Sequence, residues 1–132
     1  MMTDPIADAL TRIRNAGIVR MAQVNILASK TVRRILDVVA DEGFVAGYQV
    51  EDRGGPRPLL VVELKYGPDG KHIIRSIQRV SKPGCRIYRK CDELEPVQNG
   101  QGIAIVSTPE GVMSDRLARE RRLGGEVFAE VY

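Results

Sequence analysis

The chain has 132 residues, of which 43% are hydrophobic, 20 are Lys or Arg and 17 are Asp or Glu, giving a formal net charge of +3. That is enough apolar material for one domain or two small packed ones, and it excludes a disordered basic tail. No run of about eighteen apolar residues is present to cross a membrane, and a structural pattern begins at Thr3-Asp4-Pro5, so no leader segment is expected.

Asp4 as N-cap and Pro5 at the first helical position open a helix in which Ile6, Leu10 and Ile13 recur at helical spacing. Arg12 and Arg14 fall in its last turn, and Gly17 lies beyond its end. Residues 24–27 read as a short strand. Ser29 caps a second helix whose Val32, Ile35, Leu36 and Val39 follow the i, i+3, i+4, i+7 pattern, and Gly43 ends it in a left-handed conformation. Residues 45–51 and 59–66 are strands, the second with Leu60, Val62, Leu64 and Tyr66 on one face. Gly67-Pro68-Asp69-Gly70 is the strongest break in the chain. It divides an α-β-α-β-β domain, residues 1–68, from a β-rich domain, residues 69–132.

In the second domain, residues 73–80 and 86–90 read as strands around Ser81-Lys82-Pro83-Gly84, and residues 92–98 as a short helical turn. Residues 103–106 form a buried strand. A turn follows, and Ser114 then caps a basic helix that runs to Leu123 and is stopped by Gly124-Gly125. Residues 126–132 close as a strand with Val127, Ala129 and Val131 on one face. The expected class is α/β (α+β) in two small domains, the second a mostly antiparallel sheet with one helix.

Catalytic chemistry finds no support. His72 is the only histidine, which leaves neither Ser-His nor Cys-His combinations with any redundancy, and it lies at a turn where a solvated ring is expected. Cys85 and Cys91 would be about 20 Å apart in an extended segment, too far for a disulfide, and they read as small apolar side chains. Asp92, Glu93 and Glu95 read as a solvated face. Gly100-Gln101-Gly102 precedes a strand instead of following one, which fails the dinucleotide pattern. No cofactor, metal, small-molecule substrate or membrane partner is expected, and enzyme activity is not expected. What remains is charge and hydroxyls. Basic residues crowd at Arg75, Arg79, Lys82, Arg86, Arg89 and Lys90, and again at Arg116, Arg119, Arg121 and Arg122. Ser107-Thr108 sits between strand and helix, where its hydroxyls either cap their own turn or meet RNA, which is read through 2′-hydroxyls, phosphates and base edges. With four Tyr, two Phe and no Trp, docking on a folded duplex fits better than stacking on single strands.

Several motifs are collinear with one family. Asp4-Pro5-Ile6-Ala7-Asp8, Thr11-Arg12-Ile13-Arg14-Asn15, Ser29-Lys30, Glu42-Gly43-Phe44 and Leu64-Lys65-Tyr66 run through the first half. Arg79-Val80-Ser81-Lys82-Pro83-Gly84, Arg86-Ile87-Tyr88, Asp92-Glu93-Leu94 and residues 102–108 follow in the second. Gly111-Val112-Met113, Asp115-Arg116 and Leu123-Gly124-Gly125-Glu126 complete the set. The chain resembles the eighth protein of the small ribosomal subunit. The resemblance implies a ribosomal protein that binds an irregular helix in the central domain of the small-subunit (16S-type) rRNA and helps assemble the platform. It implies the fifth and twelfth small-subunit proteins as neighbours, a place in cytoplasmic or organellar ribosomes and, in some members, repression of the protein's own operon messenger RNA. Carried over by motif, the RNA contacts become Ser107, Thr108, Tyr88 and Glu126, with Gly124 and Gly125 of the same motif, Lys82 and Arg86. In the N-terminal half they become Lys30 and Arg57. Among phosphates a carboxylate is repelled, so Glu126 is expected to accept from base amino groups or a 2′-hydroxyl. One departure stands out: Pro109 replaces a Ser of the family pattern and Glu110 a common Lys, which removes a hydroxyl and an N–H from the turn.

Overall fold

The computed structural model describes residues 4–132, so Thr3 of the helix-start pattern lies outside the described residues. These divide into two compact units, one of Pro5–Arg75 and the other of Asp4 with Ser76–Tyr132.

In the first unit, α1 (Pro5–Ile18) starts at the expected proline and buries Ile6, Ala9, Leu10, Ile13 and Ala16. It continues through Gly17 instead of stopping before it. The reason is packing: a Cβ on Gly17 would lie 2.0 Å from Nδ1 of His72. The His72 ring, expected in solvent, is half-buried here against Gly17 and Tyr66, with ring centroids 5.5 Å apart for the latter pair. Its Nε2 is buried without a partner among the described residues, and burial lowers the pKa of the ring. The helix α2 (Lys30–Asp41) is capped as expected, Ser29 Oγ accepting from the Val32 N–H at 3.1 Å. Val32, Ile35, Leu36 and Val39 are all buried, and Gly43 has φ +82. Strands β1 (Gln23–Leu27), β2 (Gly47–Glu51) and β3 (Leu59–Glu63) form an antiparallel sheet in the order β1-β3-β2. β3 ends three residues early because the Leu64 N–H turns to the Ala22 carbonyl. Tyr66 instead bridges His72, closing the Gly67–Gly70 turn.

The second unit is an antiparallel sheet of β4 (Ile77–Arg79), β5 (Tyr88–Arg89), β6 (Ile103–Thr108), β7 (Gly111–Ser114) and β8 (Gly125–Val131). The order is β4-β8-β6-β7, with β5 also paired to β8. β4 and β5 are much shorter than the spans 73–80 and 86–90. The turn 92–98 is two separate 3₁₀ turns, Cys91–Glu93 and Val97–Gly100, because Glu95 precedes Pro96 and the pre-proline position disfavours helix.

The expected strand–turn–helix is a β-hairpin followed by a helix. Ser107 and Thr108 belong to β6, Pro109-Glu110 form the loop, and Gly111 takes φ +124 to start β7. Ser114 then caps α3 (Asp115–Glu120), its Oγ accepting from the Leu117 N–H at 3.3 Å. α3 stops before Gly124-Gly125 because Arg122 adopts φ +57 and the Leu123 N–H returns to the Ala118 carbonyl. Its N-terminus is locked by buried Asp115, which accepts from the Ala104 N–H at 2.9 Å and from Arg119 at 2.6 Å.

A bulge in β8 changes which residues share a face. Ile105 pairs with Ala129 and Val106 with Val127, so Phe128 is skipped. Val127 therefore joins Ala104, Val106, Met113, Ala118, Leu94 and Val97 in the core under α3, while Ala129 and Val131 pair with Ile105 and Ile103. The expectation of Val127, Ala129 and Val131 on one face fails for that reason. The Phe128 carbonyl accepts from Arg79 Nη1 at 2.8 Å, and the same guanidinium lies 5.6 Å over the Phe128 ring.

Candidate nucleic-acid interface

β5, β8 and β6 lie side by side, and their register aligns three side chains from distant parts of the chain. Tyr88 is directly opposite Glu126, and Glu126 is directly opposite Ser107. Opposed residues on antiparallel strands project to the same face with Cβ atoms about 5 Å apart. Tyr88, Glu126 and Ser107 thus form one row across three strands. Tyr88 is exposed, Ser107 is half-buried, and neither side chain is hydrogen-bonded among the described residues.

The glycines before Glu126 set the spacing of that row. A Cβ on Gly125 would come within 1.9 Å of the Ser107 carbonyl oxygen, and one on Gly124 within 2.5 Å of the Arg89 carbonyl oxygen. Only glycine lets β8 enter between these two backbones. Their visible work is close packing.

Glu126 is held from within the protein. Its Oε2 accepts from Ser81 Oγ at 2.6 Å and from Arg86 Nη1 at 3.0 Å. Its side chain is 15% exposed, against 48% for Arg86. Lys82 is exposed at the tight turn that Lys82 and Cys85 close with two backbone hydrogen bonds, of 3.0 and 2.9 Å. Both cysteines are free.

Thr108 is not part of the row. One position beyond Ser107, it turns to the α3 side, where it is buried. Its Oγ1 accepts from the Glu110 N–H at 3.2 Å and donates to the Gly111 carbonyl at 2.8 Å. Pro109 removes an N–H from the loop, and the Thr108 hydroxyl satisfies the next one. Lys30 and Arg57 belong to the other unit. Lys30 begins α2 and Arg57 lies in the β2–β3 loop, both exposed. The 3.0 Å bond from the Ala28 N–H to the Pro58 carbonyl brings these segments to the same end of the three-stranded sheet.

The basic clusters separate into two kinds. Arg79 pairs with Asp4 at 3.2 Å with only 8% of its side chain exposed. Arg116 donates to the Gly100 and Gly102 carbonyls, Arg119 is bound to Asp115, and Arg121 lies 3.8 Å from Glu110. Arg79, Arg116 and Arg119 brace the fold, whereas the Arg121–Glu110 pair is about half exposed on both sides. Lys82, Arg86, Arg89 and Lys90 keep exposed cationic ends around the row. Ser81, fully buried between them and Glu126, was not singled out by sequence; a serine ahead of a Lys-Pro-Gly turn was the one available signal.

No group of three His, Cys, Asp or Glu side chains among the described residues is arranged to hold a metal ion. No helix among them is long and apolar enough to cross a membrane. The surface that remains combines hydroxyls, one fixed carboxylate and a rim of cations, with no nucleophile beside a base among the described residues.

Comparison with known proteins gives the family. The ribosomal protein S8 family matches residues 4–132. Proteins named small ribosomal subunit protein uS8 are similar to the chain along nearly its whole length. The one from Rhodopirellula baltica is 52% identical over 132 residues, covering 99% of each chain. Those from Oenococcus oeni and a Caulobacter species are 50% and 49% identical over 131 residues, covering 99% of this chain and 98% of theirs. The chain belongs to the ribosomal protein S8 family. It is a structural constituent of the small ribosomal subunit and not an enzyme.

Proposed function

We propose that the second unit docks on an irregular helix in the central domain of the small-subunit rRNA, through the face that carries Tyr88, Glu126 and Ser107. The single observation behind this reading is the cross-strand row. A-form RNA hides its base edges in a deep major groove and shows 2′-hydroxyls and some edges in a shallow minor groove. A row of hydroxyl, carboxylate and phenol suits that surface. Ser107 and Tyr88 can donate or accept, Glu126 only accepts, and the exposed cations around them can meet phosphates. Thr108 supports the row by holding the hairpin, while Gly124 and Gly125 set its spacing. Lys30 and Arg57 supply a second, electrostatic contact from the first unit. Neighbouring small-subunit proteins, the fifth and twelfth among them, complete the assembly in this reading.

The test turns on the sign of a charge. Glu126→Ala removes an anion from a protein that binds a polyanion, so electrostatics alone predicts tighter binding. If Glu126 accepts from RNA, cognate affinity falls by roughly 1–3 kcal/mol while binding to an unrelated duplex stays level or improves. Filter binding or fluorescence anisotropy on both RNAs decides. Equal or tighter cognate binding by a folded variant removes Glu126 from the interface.

A further inference from the structure

Ser81 is fully buried, yet its hydroxyl joins two parts of the site. The Ile87 N–H donates to Ser81 Oγ at 3.0 Å, so Oγ is an acceptor there and its one hydrogen goes to Glu126 Oε2 at 2.6 Å. The Ser81 backbone is fixed as well: its N–H bonds the Val127 carbonyl at 3.0 Å, and the Val127 N–H bonds the Ile87 carbonyl at 3.0 Å. Ser81 therefore closes the loop that carries Lys82 and Arg86, sets the start of the Ile87-Tyr88 segment, and grips the carboxylate in the middle of the row.

Both bonds from within the protein fall on the same carboxylate oxygen. Oε2 receives Ser81 and Arg86, while Oε1 has no partner among the described residues and is not one of their buried unpaired atoms, so it reaches solvent. A carboxylate accepts at about four lone-pair positions, two on each oxygen. The two on Oε2 are filled.

We propose that Ser81 is a positioning residue that divides the two oxygens of Glu126, reserving Oε2 for the protein and presenting Oε1 alone to the RNA. The inference rests on the reading that Glu126 accepts from RNA. It also narrows the ligand. A single presented oxygen suits one donor, a base amino group or a 2′-hydroxyl. It does not suit the paired N1–H and N2–H of a guanine edge, which need both oxygens. Glutamine cannot copy the arrangement: its one carbonyl oxygen faces either Ser81 or the RNA, and its amide donor takes the other side.

The experiment measures binding of the central-domain rRNA helix and of an unrelated duplex by wild-type protein, Ser81→Ala, Ser81→Cys, Glu126→Ala, Glu126→Gln and the Ser81→Ala/Glu126→Ala double variant. Ser81→Ala is expected to lose about tenfold on the cognate helix and nothing on the duplex, and to add less than about twofold in the Glu126→Ala background. Glu126→Gln is expected to lose as much as Glu126→Ala. A general structural role would lower both RNAs together and would add fully to Glu126→Ala; either result overturns the proposal. So does wild-type cognate affinity in Ser81→Ala, or an intermediate loss in Glu126→Gln. If Ser81→Ala does not fold, Ser81→Cys keeps the shape with a weaker donor, and wild-type affinity there overturns it equally. Wild-type affinity in Glu126→Ala would defeat the underlying reading. Loss in Glu126→Ala without loss in the Ser81 variants would defeat the positioning role alone.

Discussion

Ser107 and Thr108 are adjacent hydroxyl residues with opposite assignments, and substitution separates them. Thr108 is buried, and its oxygen links the Glu110 N–H to the Gly111 carbonyl. Thr108→Val keeps the volume and removes both bonds, so thermal or denaturant unfolding is expected to show a loss of about 1–2 kcal/mol. Ser107 has no side-chain hydrogen bond among the described residues, so Ser107→Ala is expected to leave stability within about 0.5 kcal/mol. The same change is expected to remove about 1 kcal/mol of cognate RNA affinity. A matched loss of stability in both variants would show that Ser107 serves the hairpin too. Neither difference is legible in the sequence, where both residues read as one exposed turn. Alternation along β6 decides which hydroxyl meets solvent, and that requires knowing that the strand extends through residue 108.

At the scale of elements, two glycines carry much of the architecture without any unusual φ. Gly125→Ala would drive a Cβ into the Ser107 carbonyl, a backbone atom that cannot turn aside. Separation of β8 from β6 is expected to cost about 2–3 kcal/mol of stability, read as a lower melting temperature. Gly17 plays the corresponding part in α1 by admitting the His72 ring, and this gives the first unit a pH dependence. Burial lowers the His72 pKa below its ordinary value of 6.5, so the unfolded chain takes up the proton first. The associated stability is fully present above that value, falls as pH drops below it towards the folded pKa, and levels off beneath that. Melting curves across this window should show the decline, and His72→Gln should reduce it; an unchanged decline would place its origin in the carboxylates. The start of α1 at Pro5, the Ser29 cap of α2 and the α2 core stripe were readable because a first-turn proline, a serine cap and 3.6-residue periodicity are local properties. The helix end near Gly17 was misread because the residue that needs the glycine lies 55 positions away.

For the whole molecule, the count of useful cations is smaller than composition suggests. Arg79, Arg116 and Arg119 are engaged with the protein's own carbonyls and carboxylates, while Lys82, Arg86, Arg89 and Lys90 are exposed near the row, Arg86 donating to Glu126 and Arg89 to the Tyr88 carbonyl as well. About four phosphate contacts predict a log–log slope of cognate affinity against salt of roughly −3 to −4. A flat response over a salt titration would remove the phosphate part of the reading. The α-β-α-β-β order of the first unit and the sheet-rich character of the second were both legible, because buried strands and capped helices announce themselves in pattern. The β6–β7 hairpin, the Ser81 hub and the sorting of arginines were not. Each depends on which distant backbone an atom meets.

The skipped residue in β8 acts as a change of phase. Counted by twos from Val131, Glu126 would fall on the side of α3, facing the apolar cluster of Leu94, Val106 and Ala118. Phe128 takes up one residue without a partner on β6, and everything N-terminal to it is exchanged between faces. A carboxylate thus reaches the same side as Ser107 and Tyr88, and a valine goes to the core in its stead. The chemistry of the row is set by a phenylalanine outside it, and Arg79 holds that phenylalanine's carbonyl and ring in place.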